Sequence, residues 1–227
     1  MPKGPPMEIL VTELIFFLIV FGLCTLIYFK TKGIYQLSKH KGIFHFRNVF
    51  IFFALAYLFR LIFVIIALAL EFMDIAFPRS VGFWILPGVS FFSTMAILSM
   101  VVAVLIKRLE RIKWLPYWIV AIGFLSSLIT FVTRSHRELL FVQTLVFLIA
   151  IIIVFWQSKK AHSHHLLTQN NVTYLLLFVF WILSVLAFNR KLIPVEFKIP
   201  LYILSAAVFF WIYWRVQKRL NANAKTR

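Results

Sequence analysis

The chain has 227 residues, of which 63% are hydrophobic, a formal net charge of +17 and a mean hydropathy of +0.95. Soluble domains are roughly half apolar, so this composition excludes a globular fold with a water-facing surface. A bilayer span needs about 20 mostly apolar residues. Seven such runs fill the chain, at about 9–29, 48–72, 81–106, 115–133, 139–156, 172–188 and 199–214. They are continuous, where the strands of a membrane barrel would alternate apolar and polar residues. The expected fold is an all-α integral membrane protein: one seven-transmembrane-helix bundle over 1–227, with connections too short to hold a second domain.

The first run, Ile9 to Phe29, is longer than the usual core of a signal peptide, and no small-x-small cleavage pattern follows it. It is expected to stay as helix 1, with Glu13 about a turn inside. Its Cys24 is the single cysteine, and the expected role is that of a small buried apolar residue. The segment 30–47 then carries Lys30, Lys32, Lys39, Lys41 and Arg47, and two Lys-Gly-Ile-aromatic units at Lys32–Tyr35 and Lys41–Phe44. Interleaved apolar and basic residues suit a loop lying on the anionic lipids of the inner leaflet. A docking loop for a cytoplasmic protein partner is the sharper expectation.

Helix 2 holds Arg60, the one charge near the middle of a run. A charge at that depth costs about 3 kcal/mol or more. Helical spacing puts Phe53, Ala56, Tyr57, Phe63, Val64 and Ala67 on its face, with Glu71 one turn beyond. At similar depth helix 3 offers Ser90, Ser93 and Thr94. Helix 4 offers Gly123, Ser126, Ser127 and Thr130, also on one face. Gln143 and Thr144 lie in helix 5, Ser184 in helix 6, and Tyr202 and Ser205 in helix 7. The candidate ligand site is Arg60, Glu13, Ser90, Ser93, Thr94, Ser126, Ser127, Thr130, Gln143 and Ser184. An arginine fork in a low dielectric suits a carboxylate or phosphate. The competing expectation is structural: Arg60 pairs with Glu13 or Glu71, and the hydroxyls join helices to one another. Most of these groups sit at mid-span or outward, and the inner halves of helices 5 to 7 are apolar, which points to a pocket open to the outside only.

His162, His164 and His165 stand beside Lys159 and Lys160. A His-rich tract can bind metal, but no carboxylate or cysteine accompanies this one, so no metal and no cofactor is expected. No acid–base pair, metalloprotease, nucleophile-elbow or phosphate-loop motif occurs, so an enzyme is not expected.

Helices 1 and 5 open alike, with Glu13-Leu-Ile-Phe and Glu138-Leu-Leu-Phe. Helices 2 and 6 open with Asn48-Val49 and Asn171-Val172. Helices 3 and 7 run from Pro87 and Pro200 to Lys107-Arg108-Leu109 and Lys218-Arg219-Leu220. These cues fit a 3+1+3 parallel repeat with helix 4 as spacer, an arrangement used by small transporters. The expected function is a receptor-like, ligand-binding sensor that acts through a separate cytoplasmic partner. The rivals are a small-solute transporter and a structural or assembly subunit without a ligand.

Basic residues lie unevenly between alternate connections. One set holds the cations of 30–47 with Lys107, Arg108, Arg111, Lys113, Lys159, Lys160, Arg215, Lys218, Arg219, Lys225 and Arg227, and its acid is Glu110. The other holds Lys3, Arg79, Arg134, Arg137, Arg190, Lys191 and Lys198, together with the remaining acids. Cations beside spans mark the cytoplasmic side and bind anionic headgroups; they do not point to nucleic acid here. A multi-pass cell-membrane protein is expected, with its N-terminus outside and its C-terminus inside. Tag-accessibility labelling in intact cells checks this: a tag after Arg227 should label only after permeabilisation, and a tag at the N-terminus should label without it.

Overall fold

A computed structural model describes residues 7–39, 41–73, 75, 79–109, 114–133, 141, 143–149, 151–152, 169–188 and 194–225. Its helices are α1 (Met7–Ser38), α2 (Lys41–Phe72), α3 (Arg79–Leu109), α4 (Leu115–Thr133), α5 (described over 143–149), α6 (Gln169–Phe188) and α7 (Lys198–Lys225), the last preceded by a 3-10 turn at Val195–Phe197. Among the described residues there is no strand. Stretches of α1, α2, α3, α4 and α7 are long and apolar enough to cross a membrane, and Val172–Ala187 of α6 is a shorter apolar helix. The protein is thus a helical, multi-pass membrane protein. Parts of the expected fifth span, 139–156, lie outside the described residues, as do His162, His164 and His165 and the helix-5 opening at Glu138.

Helix is the form these runs must take, because in lipid each backbone N–H and C=O has to find its partner within the segment. The few hydroxyls on α1 obey the same demand. Thr12, Thr25 and Thr31 donate to the carbonyls of Glu8, Phe21 and Ile27 at 2.7, 2.8 and 2.7 Å, one turn back.

The segment 30–47, expected as a loop, is helical. α1 continues through Lys30 and Lys32 to Ser38, and α2 has already begun at Lys41. The turn is made at Lys39, whose φ is 48° and whose N–H bonds the carbonyl of Tyr35 at 2.8 Å. A left-handed residue closing the last carbonyls is a usual helix stop. The apolar count that bounded the span did not bound the helix, because Lys, Gln and Leu are good helix formers and Gly33 alone does not break one. The Tyr35 and Phe44 rings, 5.5 Å apart, hold the two arms of this hairpin together. Each arm belongs to a helix of 32 residues, about 48 Å long at 1.5 Å per residue. A hydrocarbon core is only about 30 Å thick, so both helices project well beyond it.

Side-chain pairs fix the helix directions. α2 and α6 run parallel in steady register: Phe46 meets Tyr174, Phe53 meets Phe180, and Tyr57 meets Ser184. α1 and α7 are also parallel, with Glu13 at Tyr202 toward one end and Lys30 at Tyr213 toward the other. That second end, which carries Lys30, Arg47 and Lys218, is called the basic end below. α3 and α4 are antiparallel. α1 packs on α2 and α7, α2 on α3, α3 on α4, and α6 on α7. α5 joins α3 through Gln143 and α6 through Phe147, whose ring lies 5.4 Å from Phe178 and 6.1 Å from Trp181. The core is built largely of rings, with Phe17, Phe50, Phe53, Phe147, Phe180 and Phe209 all fully buried.

α4 rests on α3 and turns Trp118, Phe124, Leu125 and Val132 outward, the faces a helix shows to acyl chains. α3 is squeezed between α2 and α4, and glycine permits both contacts. A Cβ on Gly123 would meet Met95 at 3.1 Å. One on Gly88, next to the in-helix Pro87, would come within 2.5 Å of the Phe59 ring. Gly88→Ala should therefore destabilise the bundle by about 1–3 kcal/mol through overpacking. Thermal unfolding in detergent checks this, and Phe59→Leu in the same chain should recover most of the loss.

Candidate functional site

The polar residues singled out by the sequence do not form one site. Most of their hydrogen bonds fall into two sets, one between α3, α4 and α5 and one between α1, α2, α6 and α7; Thr144 on α5 instead accepts from Trp181 Nε1 on α6 at 3.4 Å.

The first set is a knot of hydroxyls around one amide. Gln143 donates from Nε2 to Ser93 Oγ at 2.7 Å and to Thr94 Oγ1 at 3.0 Å, and reaches the carbonyl of Ser90 at 3.4 Å. Ser126 Oγ lies 2.9 Å from both Ser90 Oγ and Thr94 Oγ1. Thr130 donates to Ser90 Oγ at 3.0 Å and to the carbonyl of Ser126 at 2.9 Å. Ser93 returns its proton to the carbonyl of Val89 at 2.7 Å. Ser90, Ser93, Thr94, Thr130 and Gln143 are buried. The spacing of 90, 93 and 94 on α3 and of 126 and 130 on α4 brings these groups to facing stripes. Each group turns toward another member of the knot or the local backbone, which is how polar side chains join helices in lipid. Ser127 is partly buried beside Ser126 and enters neither set.

The second set surrounds Arg60. Tyr57, one turn before it on α2, places its hydroxyl 3.1 Å from Ser184 Oγ, which lies 3.3 Å from Ser205 Oγ on α7. Tyr202, one turn from Ser205, donates its phenolic proton to Glu13 Oε1 at 2.8 Å. The Arg60 guanidinium carbon lies 5.3 Å from the centre of the Tyr57 ring, an attractive cation–π distance, and the group interacts electrostatically with Tyr57, Tyr202 and Glu13. Phe16 fills the centre, its ring 5.1 Å from Tyr202 and 6.0 Å from Tyr57. Glu13, Tyr57, Ser184, Tyr202 and Ser205 are buried, whereas Arg60 is partly exposed. Of the two acids weighed as partners for Arg60, Glu13 is the buried one within its electrostatic reach. Glu71 is exposed in the last turn of α2. Chemically the set offers one cation, one acid and a chain of hydroxyls in a low dielectric, where each attracts more strongly than in water.

Tyr57, Tyr202 and Ser205 belong to this site although the candidate residues did not include them. Tyr57 stands on the face of Arg60 in the sequence, and the signal was its hydroxyl, since a buried phenol almost always finds a hydrogen-bond partner.

The chain is 29% identical over 222 residues to an uncharacterized protein of Archaeoglobus fulgidus, a match that spans 96% of this chain and 97% of the other. No family model matches it, and no solved structure matches it. The likeness runs almost end to end, so both halves of the bundle and both polar sets fall within the matched length.

The two sets respond differently to mutation. Gln143→Leu should lower stability by about 0.5–2 kcal/mol, the range for interhelical hydrogen bonds in membranes. Tyr202→Phe and Glu13→Leu should each cost a similar amount, but the double change should cost no more than the worse single one, because both remove the same bond. A double-mutant cycle of detergent unfolding midpoints measures this; fully additive losses would show that Tyr202 and Glu13 act independently.

Proposed function

We propose that the protein is a receptor-like sensor that takes a small anionic group at Arg60 and reports it to a separate cytoplasmic partner. The carrying observation is the contrast across Tyr57 and Ser184. On one side lie Arg60 and Glu13. On the side toward the basic end lies a layer of closed-packed rings, Phe53, Phe180 and Phe209, each no more than 1% exposed, with Phe180 and Phe209 only 4.6 Å apart. A polar solute entering that layer would lose several kcal/mol of hydration for each polar group. The arrangement favours binding over passage.

In this reading Arg60 is the edge of the set that an incoming carboxylate or phosphate meets, since it is the partly exposed member. The ligand competes with Glu13 for the guanidinium, and Glu13 keeps its bond to Tyr202. The attraction between α1 and α2 changes while that between α1 and α7 persists. Both α1 and α2 continue without interruption to the basic end, which supports the hairpin around Lys39 as the part the partner reads. The polar site faces the outside of the cell membrane and the basic end the cytoplasm, in keeping with the distribution of cations.

A second reading, a small-solute transporter, is favoured by the pattern of neighbours. α1 beside α7 matches α5 beside α3, α2 beside α6 matches itself, and α4 stands outside on α3. A parallel 3+1+3 repeat would produce that pattern. Cysteine labelling separates the two. In a chain whose Cys24 is replaced by alanine, cysteines at Arg60 and Ser184 should react with a charged thiol reagent added from outside. Cysteines at Phe53 and Phe209 should stay unreactive from both sides. Labelling of Phe53→Cys or Phe209→Cys from the cytoplasmic side would favour alternating access and end the sensor reading.

A further inference from the structure

The basic end holds a second arginine that the Arg60 site does not use. Arg47 lies one residue before the apolar run of α2, and Tyr28 lies near the end of the apolar run of α1. The guanidinium carbon of Arg47 is 5.0 Å from the ring centre of Tyr28, 5.0 Å from that of Tyr35 and 5.3 Å from that of Phe44. Helix periodicity delivers this clamp: Tyr28 and Tyr35 are two turns apart on one face of α1, and Phe44 is one turn before Arg47 on α2.

The rings orient the guanidinium but accept none of its protons in the way an oxygen would. Its Nε is buried without a hydrogen-bond partner among the described residues. No acid occurs between Glu13 and Glu71 in the sequence, so neither arm of the hairpin can bring a carboxylate to it. Lys30, two residues after Tyr28, lies on the other face of α1, toward α7. It is exposed, and its Nζ donates to Tyr213 Oη at 3.1 Å while lying over that ring at 5.3 Å. A planar fork held in place and short of acceptors is suited to an oxyanion. The site sits where the apolar runs of α1 and α2 end, which is the level of the lipid phosphates rather than of free solutes.

We infer that Arg47, clamped by Tyr28, Tyr35 and Phe44, binds the phosphate group of a membrane-lipid headgroup. The bound lipid pins the root of the α1–α2 hairpin to its leaflet.

The test uses the full chain, stripped of lipid in an uncharged glucoside detergent and titrated with phosphatidylglycerol. Bound lipid is counted by native mass spectrometry and the thermal midpoint is followed in parallel. Arg47→Gln should weaken lipid binding roughly tenfold. Lys39→Asn, which removes a cation at the tip of the hairpin beyond the clamp, should leave it unchanged. Arg47→Lys keeps the charge but loses the fork, and should bind several-fold less tightly than the parent; it carries the test if the glutamine variant does not fold. Equal lipid binding by the parent and Arg47→Lys or Arg47→Gln would overturn the site. Inorganic phosphate that raises the midpoint of the lipid-free parent as much as the lipid does, and fails to do so in the variant, would overturn the assignment to a lipid.

Discussion

Everything polar in this molecule is arranged by one constraint: within a bilayer there is no water to accept an unpaired proton. The backbone answers with helices. The side chains must answer one by one, and they do so in ways that separate structural from functional groups. Serine and threonine can turn back on their own helix, as Thr12, Thr25 and Thr31 do. They can also meet a neighbour, as Ser126 meets Ser90 and Thr94. The knot around Gln143 joins α3, α4 and α5 in this way, and it explains how α4 is held despite turning most of its surface outward.

Arginine has no such local answer, because its five donors cannot fold back onto one helix turn. The bundle meets it in two ways. At Arg60 the surroundings supply an acid, two phenols and an aromatic face, drawn from α1, α2 and α7. At Arg47 they supply rings alone. The difference follows depth. A charge near the middle of a span needs an opposite charge inside the protein. A charge where the apolar run ends can find its anion among the headgroups, so rings that hold it in position are enough. On the proposed reading, the first arrangement is the one a competing anion acts on, and the second serves as an anchor.

The helical membrane class was legible because it rests on the length and continuity of apolar runs, which no local detail can reverse. Arg60 stood out for the same reason, as one charge against such a background. The grouping of the polar residues was not. Depth along each helix can be counted from the sequence, but which helices face each other cannot. Ser184 and Gln143 both fall in the polar layer, yet one faces Tyr57 and the other Ser93. The hairpin was misread for a different reason. Apolar length measures where the membrane stops, whereas helix propensity and the left-handed turn at Lys39 decide where the helix stops.

The parallel register of α2 and α6 gives these local contacts a wider meaning. The two central helices run in the same direction and meet through rings from Phe46 and Tyr174 to Phe53 and Phe180, and then through the hydroxyls of Tyr57 and Ser184. Rings packed at van der Waals distance resist sliding, because interdigitated side chains must leave their rotamer wells to pass one another. Hydroxyl pairs reorganise by rotating one bond. The seam between the two halves is therefore stiff toward the basic end and adaptable beside Arg60.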